Sequence, residues 1–370
     1  MNKKKVLIIS FEFPPKVGGA GSVGYDYAIF LKNSGYDVTV IALETSIERN
    51  FQEFRVLSVK SPRKVQPLFV YFAFLKIYNK SFDAIILNDA GASMLGSLFF
   101  NKEMKEKSIV FVHGTEDKKL INNRSFLFTF LKIKKRYFRL LEQCKAVIAV
   151  GRHLKSKFIG ASGLAFLDNK IEVITNNVSM PPQEISSTEI ETLREGFGGG
   201  DSIIILTASR LVKGKGYLRM LKLFSQIIEI EPRYKWIIAG EGDFEKDIRD
   251  QIVGLNIEKN VKLIGAVDKA TLFTYYRTVD LFWMLSEFDE GYPLVYMEAA
   301  LNGCPVMGNN RGGVREVVNE YTGYLVNEDS EVLDILKRKT FMSLNKTDIE
   351  YQAQLMNKDK RGRILSLIEG

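Results

Sequence analysis

The stretch Gly198-Gly199-Gly200-Asp201-Ser202-Ile203-Ile204-Ile205-Leu206-Thr207 closes one structural cycle and opens another. The glycine run ends a segment from Pro181 rich in Pro, Ser, Thr and Glu, which reads as a linker. Ile203–Thr207 then reads as a strand buried on both faces. Upstream, similar apolar runs stand near Val6–Ser10, Val38–Leu43, Ala84–Leu87, Ile109–His113, Ala146–Val150 and Ile171–Ile174. A helix is predicted around Val23–Ser34, ending at a Gly35 C-cap. Downstream the runs are Trp236–Ala239, Val261–Ile264, Leu281–Met284, Pro305–Gly308 and Gly323–Val326. Short apolar strands alternating with helical stretches are the pattern of parallel sheets with crossover helices. The fold class is therefore α/β, as two Rossmann-like domains with a ligand cleft at the strands' carboxyl ends. The expected domains are 1–185 and 186–345, with 346–370 as a C-terminal helix crossing back onto the first.

The chain has 370 residues, too many for one ordinary core, and 46% hydrophobic with 26% charged residues is a soluble globular composition. Its two cysteines, Cys144 and Cys304, have no metal-ligand spacing and read as buried apolar residues in a reducing compartment. Met1-Asn2-Lys3-Lys4-Lys5 leads straight into the first strand, too short a run for a signal-peptide core, so a cytoplasmic location is expected. Residues 1–185 carry 28 Lys and Arg against 16 Asp and Glu, a net +12, and the remainder carries −4 of the total +8. Such asymmetry points to different partners for the two halves.

Each chemical motif sits at a strand's carboxyl end. Phe13-Pro14-Pro15-Lys16-Val17-Gly18-Gly19-Ala20-Gly21 follows the first strand, and its glycines admit close backbone approach by a ligand. Gly19-Ala20-Gly21-Ser22-Val23-Gly24, with Glu44 beyond, also matches a dinucleotide fingerprint. However, eight residues including two prolines separate Ser10 from Gly19, so nicotinamide or flavin binding is set aside. His113-Gly114 ends another strand, with the histidine able to bond a sugar hydroxyl or an anion. His153, in a predicted early helical turn, reads as a surface residue. Arg210 and Lys215, in Ser209-Arg210-Leu211-Val212-Lys213-Gly214-Lys215-Gly216, are a fork and a point charge suited to one diphosphate. Gly240-Glu241-Gly242 forms a turn, and Leu263-Ile264-Gly265 offers backbone groups to a nucleobase. Last, Glu290-Gly291-Tyr292-Pro293-Leu294-Val295-Tyr296-Met297-Glu298 sets two acids eight residues apart around a helix start, whose free N–H groups favour an anion. Taken singly, such an acid pair or basic loop is ordinary solvated surface; the series carries the reading.

In order and spacing the series resembles the family-four, group 1 retaining glycosyltransferases of the GT-B fold. The matching residues are Phe13-Pro14-Pro15, Gly18-Gly19, His113-Gly114, Asn176-Asn177-Val178, Ser209-Arg210 to Lys215-Gly216, Gly240-Glu241-Gly242, Leu263–Gly265, Glu290 to Glu298 with Ala299–Val306, Gly312-Gly313 and Gly323–Val326. The resemblance implies that Arg210 and Lys215 bind the donor's pyrophosphate and that Glu298 holds the ribose hydroxyls. It places Glu290, Gly291 and the amides around Tyr292, Leu294 and Val295 at the transferred sugar and phosphates. Gly18 and Gly19 would close over the donor, and His113 would contact the sugar. Two positions depart from the family pattern: Asn177 replaces a glycine, and Pro293 removes one N–H donor. No Asp-x-Asp metal signature is seen, so the expected cofactor is none, with a nucleotide diphosphate sugar as donor substrate. The alternatives are a nucleotide-sugar epimerase or phosphorylase of the same fold, or a non-catalytic nucleotide-sugar-binding subunit.

On the acceptor side, Lys118–Lys145 holds nine Lys or Arg and one acid, Glu142. It includes Phe126-Leu127-Phe128-Thr129-Phe130-Leu131 followed by Lys132, Lys134, Lys135, Arg136 and Arg139, and Pro67–Leu75 is a second aromatic-rich run near Lys60, Arg63 and Lys64. Phe126–Leu131 fits either a core-facing helix with a basic edge or an anionic membrane surface engaged through Phe126–Arg139. The expected setting is peripheral, on the inner face of the membrane, with a glycan or lipid-linked glycan acceptor. A nucleic-acid partner is not expected, because no recognition motif accompanies the charge.

Overall fold

The structure is a computed structural model and describes residues 3–14, 19–43, 54–62, 65–78, 82–178 and 185–370. Gly18, with Pro15, Lys16 and Val17, lies outside the described residues, as do Glu44, Arg63, Lys64 and residues 179–184; the predicted linker from Pro181 to Gly200 is not all irregular, since Ser187–Glu195 is helical. The chain forms two compact units, Met1–Asn176 with Asp359–Gly370, and Asn177–Lys358.

The first unit is built on strands β1 (Lys5–Ser10), β2 (Asp37–Leu43), β3 (Arg55–Val59), β4 (Ala84–Leu87), β5 (Ser108–Val112), β6 (Ala146–Ala149) and β7 (Ile171–Val173). They form one parallel sheet in the order β3-β2-β1-β4-β5-β6-β7. The order reverses between β1 and β4, the place where open parallel sheets leave a crevice at their carboxyl ends. The second unit holds β8 (Ile203–Ala208), β9 (Tyr234–Ala239), β10 (Val261–Gly265), β11 (Leu281–Met284), β12 (Val306–Asn309) and β13 (Gly323–Val326). Its parallel order is β10-β9-β8-β11-β12-β13. β3 is the strand that sequence patterning did not find. It lies at the sheet edge and is half-buried, so Arg55-Val56-Leu57-Ser58-Val59 lacks the continuous apolar run of the central strands.

The helices that bear on function are α1 (Gly19–Asn33), α2 (Gln66–Ile77), α3 (Ala90–Phe99), α4 (Phe126–Phe130), α5 (Ile133–Gln143), α6 (Tyr217–Ile230), α7 (Lys269–Thr278), α8 (Leu294–Leu301), α9 (Lys346–Met356) and α10 (Gly362–Glu369). In α6, Tyr217, Met220, Leu221, Phe224 and Ile227 recur at helical spacing and bury one face against Trp236 and Trp283. Each such side chain contributes roughly 1.5–3 kcal/mol on burial. α1 starts at Gly19, earlier than the predicted Val23, and ends as expected at Gly35, whose φ is +93°. Gly21 and Gly24 are therefore helical, and their role is packing: a Cβ would lie 3.0 Å from the Glu12 carbonyl carbon and 2.7 Å from Asn88 Nδ2, respectively.

The division differs from the expected one. It falls at Asn176/Asn177, and α9 stays with the second unit, packed against α8 with Ile349 and Ala353 buried. Only the last segment joins the first unit. There Arg363 pairs with Glu172 at 2.6 Å, Arg361 lies 4.8 Å over the Phe30 ring, and Tyr36 donates to Glu369 at 3.0 Å.

Candidate active site

In the second unit, the loops after β8, β11 and β12 are interlocked by backbone contacts. Gly216 adopts φ +83°, and a Cβ there would lie 2.1 Å from the Leu285 carbonyl oxygen, so only glycine lets the two loops meet. Glu287 donates its N–H to Gly214 O at 2.8 Å, and Gly313 donates to Glu290 O at 2.8 Å. Asn309 Nδ2 donates to Ser286 O, also at 2.8 Å.

This framework brings Lys215 to Glu290. The ammonium donates to Glu290 Oε1 at 2.7 Å, Ser286 Oγ donates to the same oxygen at 2.8 Å, and Lys215 lies 5.8 Å over the Phe288 ring. Both side chains of the pair are largely buried, at 14% and 18% exposure, so it is less screened than a surface ion pair. Arg210 is exposed at the start of the same loop and takes no part in the Lys215–Glu290 hydrogen bonds. Its neighbour Ser209 bonds Tyr217 Oη at 2.8 Å.

Beyond Glu290, Gly291 packs against Gly313, and Tyr292 is buried, which pushes its phenol up to about 12. Helix α8 begins at Leu294. Pro293 occupies the cap position, its backbone extended. No side chain caps this end, so the amides of Leu294, Val295 and Tyr296 have no intrahelical acceptor. Glu298 is one turn inside the helix with 12% side-chain exposure, 3.6 Å from Lys269 Nζ and 3.5 Å from Tyr276 Oη. Burial raises its carboxyl above the ordinary range, and Lys269 opposes the shift. Gly265, φ +73°, closes β10 after a register shift, and its carbonyl accepts the Gly240 N–H at 2.7 Å. An uncapped helix tip beside a lysine and flanked by two carboxylates can hold a diphosphate and the hydroxyls attached to it.

In the first unit, Gly19 is the exposed first residue of α1, with open space where a Cβ would be. His113 follows β5. Burial lowers its imidazole to about 4, against the opposing effect of a hydrogen bond to the Asn88 backbone, and its Nε2 is buried without a partner. α4 has no buried residue: Phe126, Leu127 and Phe130 are 84%, 56% and 71% exposed, which removes the core-facing alternative. His153 lies in the first turn of a helix, half-buried rather than fully at the surface. Sequence reasoning missed Ser286, Asn309, Tyr276 and Lys269. Ser286 and Asn309 lie at or just past carboxyl ends of β11 and β12, a positional signal that could have found them.

A family profile described as Glycosyltransferase Family 4 matches residues 17–180, and one described as Glycosyl transferases group 1 matches residues 189–353. The chain belongs to this glycosyltransferase family, and its fold is GT-B. It is 25% identical over 347 residues to the GDP-mannose-dependent monoacylated alpha-(1-6)-phosphatidylinositol monomannoside mannosyltransferase of Corynebacterium glutamicum, covering 89% of this chain and 86% of that one. It is 28% identical over 320 residues to an uncharacterized 41.2 kDa protein in the cps region of Klebsiella pneumoniae, covering 84% of each. The crystal structure of Anabaena Alr3699/HepE in complex with UDP and glucose superposes with a TM-score of 0.78 at 19% identity, covering 98% of this chain and 100% of that one.

Proposed function

We propose that this enzyme is a retaining, metal-independent glycosyltransferase that moves a hexose-type unit from a nucleotide diphosphate sugar to a hydroxyl of a glycan or lipid-linked glycan. The proposed setting is surface polysaccharide or glycolipid synthesis at the inner face of a membrane. The observation that carries the reading is the Lys215–Glu290 pair beside the uncapped start of α8. Lys215, with Arg210, binds the pyrophosphate and stabilises the charge that grows on it as the glycosidic bond breaks; fixed cations fulfil that role without a metal. The amides of Leu294 and Val295 add hydrogen bonds, with Gly291 and Tyr292 shaping the turn, and Glu298 accepts from the ribose hydroxyls. Gly265 offers backbone groups to the base and Glu290 meets the transferred sugar; Gly18, Gly19 and His113 are further proposed donor contacts. The mannosyltransferase and the HepE complex support a nucleotide-sugar donor.

Support for a membrane setting comes from α2, α4 and α5. Leu68, Phe69, Phe72 and Leu75 of α2 are exposed, as are Phe126, Leu127 and Phe130 of α4 and the basic side chains Lys132, Lys134, Lys135, Arg136 and Arg139. α3 packs against both α2 and α5: Tyr71 stacks 4.4 Å from Phe99, and Arg136 donates to Leu98 O at 3.4 Å. Exposed aromatics beside a basic helix suit anionic headgroups. Among the described residues, no helix is long and apolar enough to cross a membrane.

Nucleotide release from UDP-glucose, GDP-mannose and ADP-glucose, with and without EDTA, tests the reaction. EDTA-insensitive release that Lys215→Ala lowers by about 10²–10³-fold is expected. Phosphate-dependent release of sugar phosphate, epimer formation, or binding without turnover would replace this reading with a phosphorylase, an epimerase or a binding subunit.

A further inference from the structure

Glu290 is the end of a longer chain of hydrogen bonds that begins on α6. Arg219, in the first turn of that helix, donates through Nε to Asp329 Oδ1 at 2.6 Å and through Nη1 to Asn309 Oδ1 at 3.1 Å. A guanidinium carries only donors, so the Asn309 atom that faces it is the oxygen. This turns the amide nitrogen of Asn309, the last residue of β12, to the Ser286 carbonyl, 2.8 Å away. Ser286 is buried just past β11, and its hydroxyl is fixed from both directions. It accepts the Phe288 N–H at 3.2 Å and donates to Glu290 Oε1 at 2.8 Å. Lys215 donates to that same oxygen at 2.7 Å. Both bonds fall on Oε1, and among the described residues none falls on Oε2. Each link from Arg219 to Glu290 has one possible polarity, and all of them lie within the second unit. Such a chain holds the carboxylate in place, because swinging it away would break both bonds on Oε1.

We propose that Arg219 and Asn309 are positioning residues: the guanidinium orients the Asn309 amide, the amide holds Ser286, and Ser286 sets Glu290 with Oε1 occupied and Oε2 free for a hydroxyl of the transferred sugar. The sugar contact rests on the function proposed above; the hydrogen-bond relay does not. Asn309→Asp keeps an oxygen for Arg219 and loses the donor to Ser286, whereas Arg219→Met keeps the aliphatic stem and loses every donor. With UDP-glucose or GDP-mannose, whichever the wild type turns over, each should lower kcat by about 10–100-fold. The donor KM should move less than about threefold. An effect that travels through Ser286 should shrink to less than about threefold when either substitution is made on Ser286→Ala. Crystal structures of the two variants give a readout apart from turnover: the Ser286 hydroxyl should leave hydrogen-bond reach of Glu290 Oε1. The proposal is overturned if that bond persists in either variant, if kcat is unchanged, or if the losses multiply in full on Ser286→Ala. Should Asn309→Asp fail to fold, Arg219→Met, at a side chain 26% exposed, decides both tests. If wild type turns over neither sugar nucleotide, the donor reading fails, while the crystal structures still decide the relay.

Discussion

Lys215 Nζ sits 2.7 Å from Glu290 Oε1, and Ser286 Oγ donates to the same carboxylate oxygen at 2.8 Å. A donor diphosphate would compete with Glu290 for this ammonium, so the pair bears on both turnover and stability. Lys215→Ala and Glu290→Ala should each lower kcat by about 10²–10³-fold. The double variant should be less destabilised than the sum of the singles, by roughly 1 kcal/mol. Urea unfolding of the four proteins measures this, and strict additivity would mean the ion pair is energetically idle.

Gly216→Ala should disrupt the site from its backbone. The added methyl meets Leu285 O and requires a left-handed alanine, a combination expected to cost about 2–4 kcal/mol. Gly19→Ala, facing open space at a helix start, should stay within about 0.5 kcal/mol of wild type or stabilise. Equal Tm values for the two variants would contradict the interlocked loops.

His113 gives a signed pH dependence. Its pKa falls from 6.5 to about 4 on folding. Between those values the unfolded chain binds more protons, so this contribution is present above pH 6.5 and lost as pH falls towards 4. The loss is on the order of 3 kcal/mol. Burial raises the Asp89 and Glu116 carboxyls, whose contributions are lost instead as pH rises through their folded values. Comparing wild type with His113→Gln at each pH cancels those effects. The wild type's Tm advantage should shrink from pH 7 to pH 4, and a constant difference would exclude a buried neutral imidazole.

Glu298→Ala should weaken nucleotide binding more than it lowers kcat. Losing the carboxylate proposed to accept from the ribose hydroxyls should cost roughly 1–3 kcal/mol, or about 5–150-fold in Kd. Calorimetry with UDP and 2′-deoxy-UDP, or with GDP and its deoxy form, should show the wild type preferring the ribonucleotide and the variant losing that preference. A retained preference would remove Glu298 from the ribose.

Phe126→Ser with Phe130→Ser, and Lys134→Glu with Lys135→Glu, should reduce sedimentation with phosphatidylglycerol vesicles by different routes. The charge-reversed protein should lose its salt sensitivity, each basic group contributing about 1 kcal/mol near an anionic surface. Equal binding of wild type to phosphatidylcholine vesicles would argue against an anionic partner.

Much of the fold was legible because central parallel strands are buried on both faces and must be apolar throughout. Among the described residues, twelve of the thirteen strands lie at predicted runs, and the exception, β3, is an edge strand whose partial burial leaves no such run. The site's chemistry was legible as residue types at strand ends, from Arg210 and Lys215 to Glu290 and Glu298. Whether those groups meet depends on contacts far apart in the chain. The 75-residue separation between Lys215 and Glu290 is closed by the missing Cβ of Gly216 against Leu285, which only folding reveals. Local periodicity therefore determined the sheets and the placement of functional residues at their carboxyl ends. Tertiary packing alone decided that Gly21 and Gly24 let α1 pack on the segments that follow β1 and β4, that α9 stays with the second unit, and that Glu116 turns inward to the amides of His113–Thr115. Each of these depends on close approach or desolvation, which the order of residues does not encode locally.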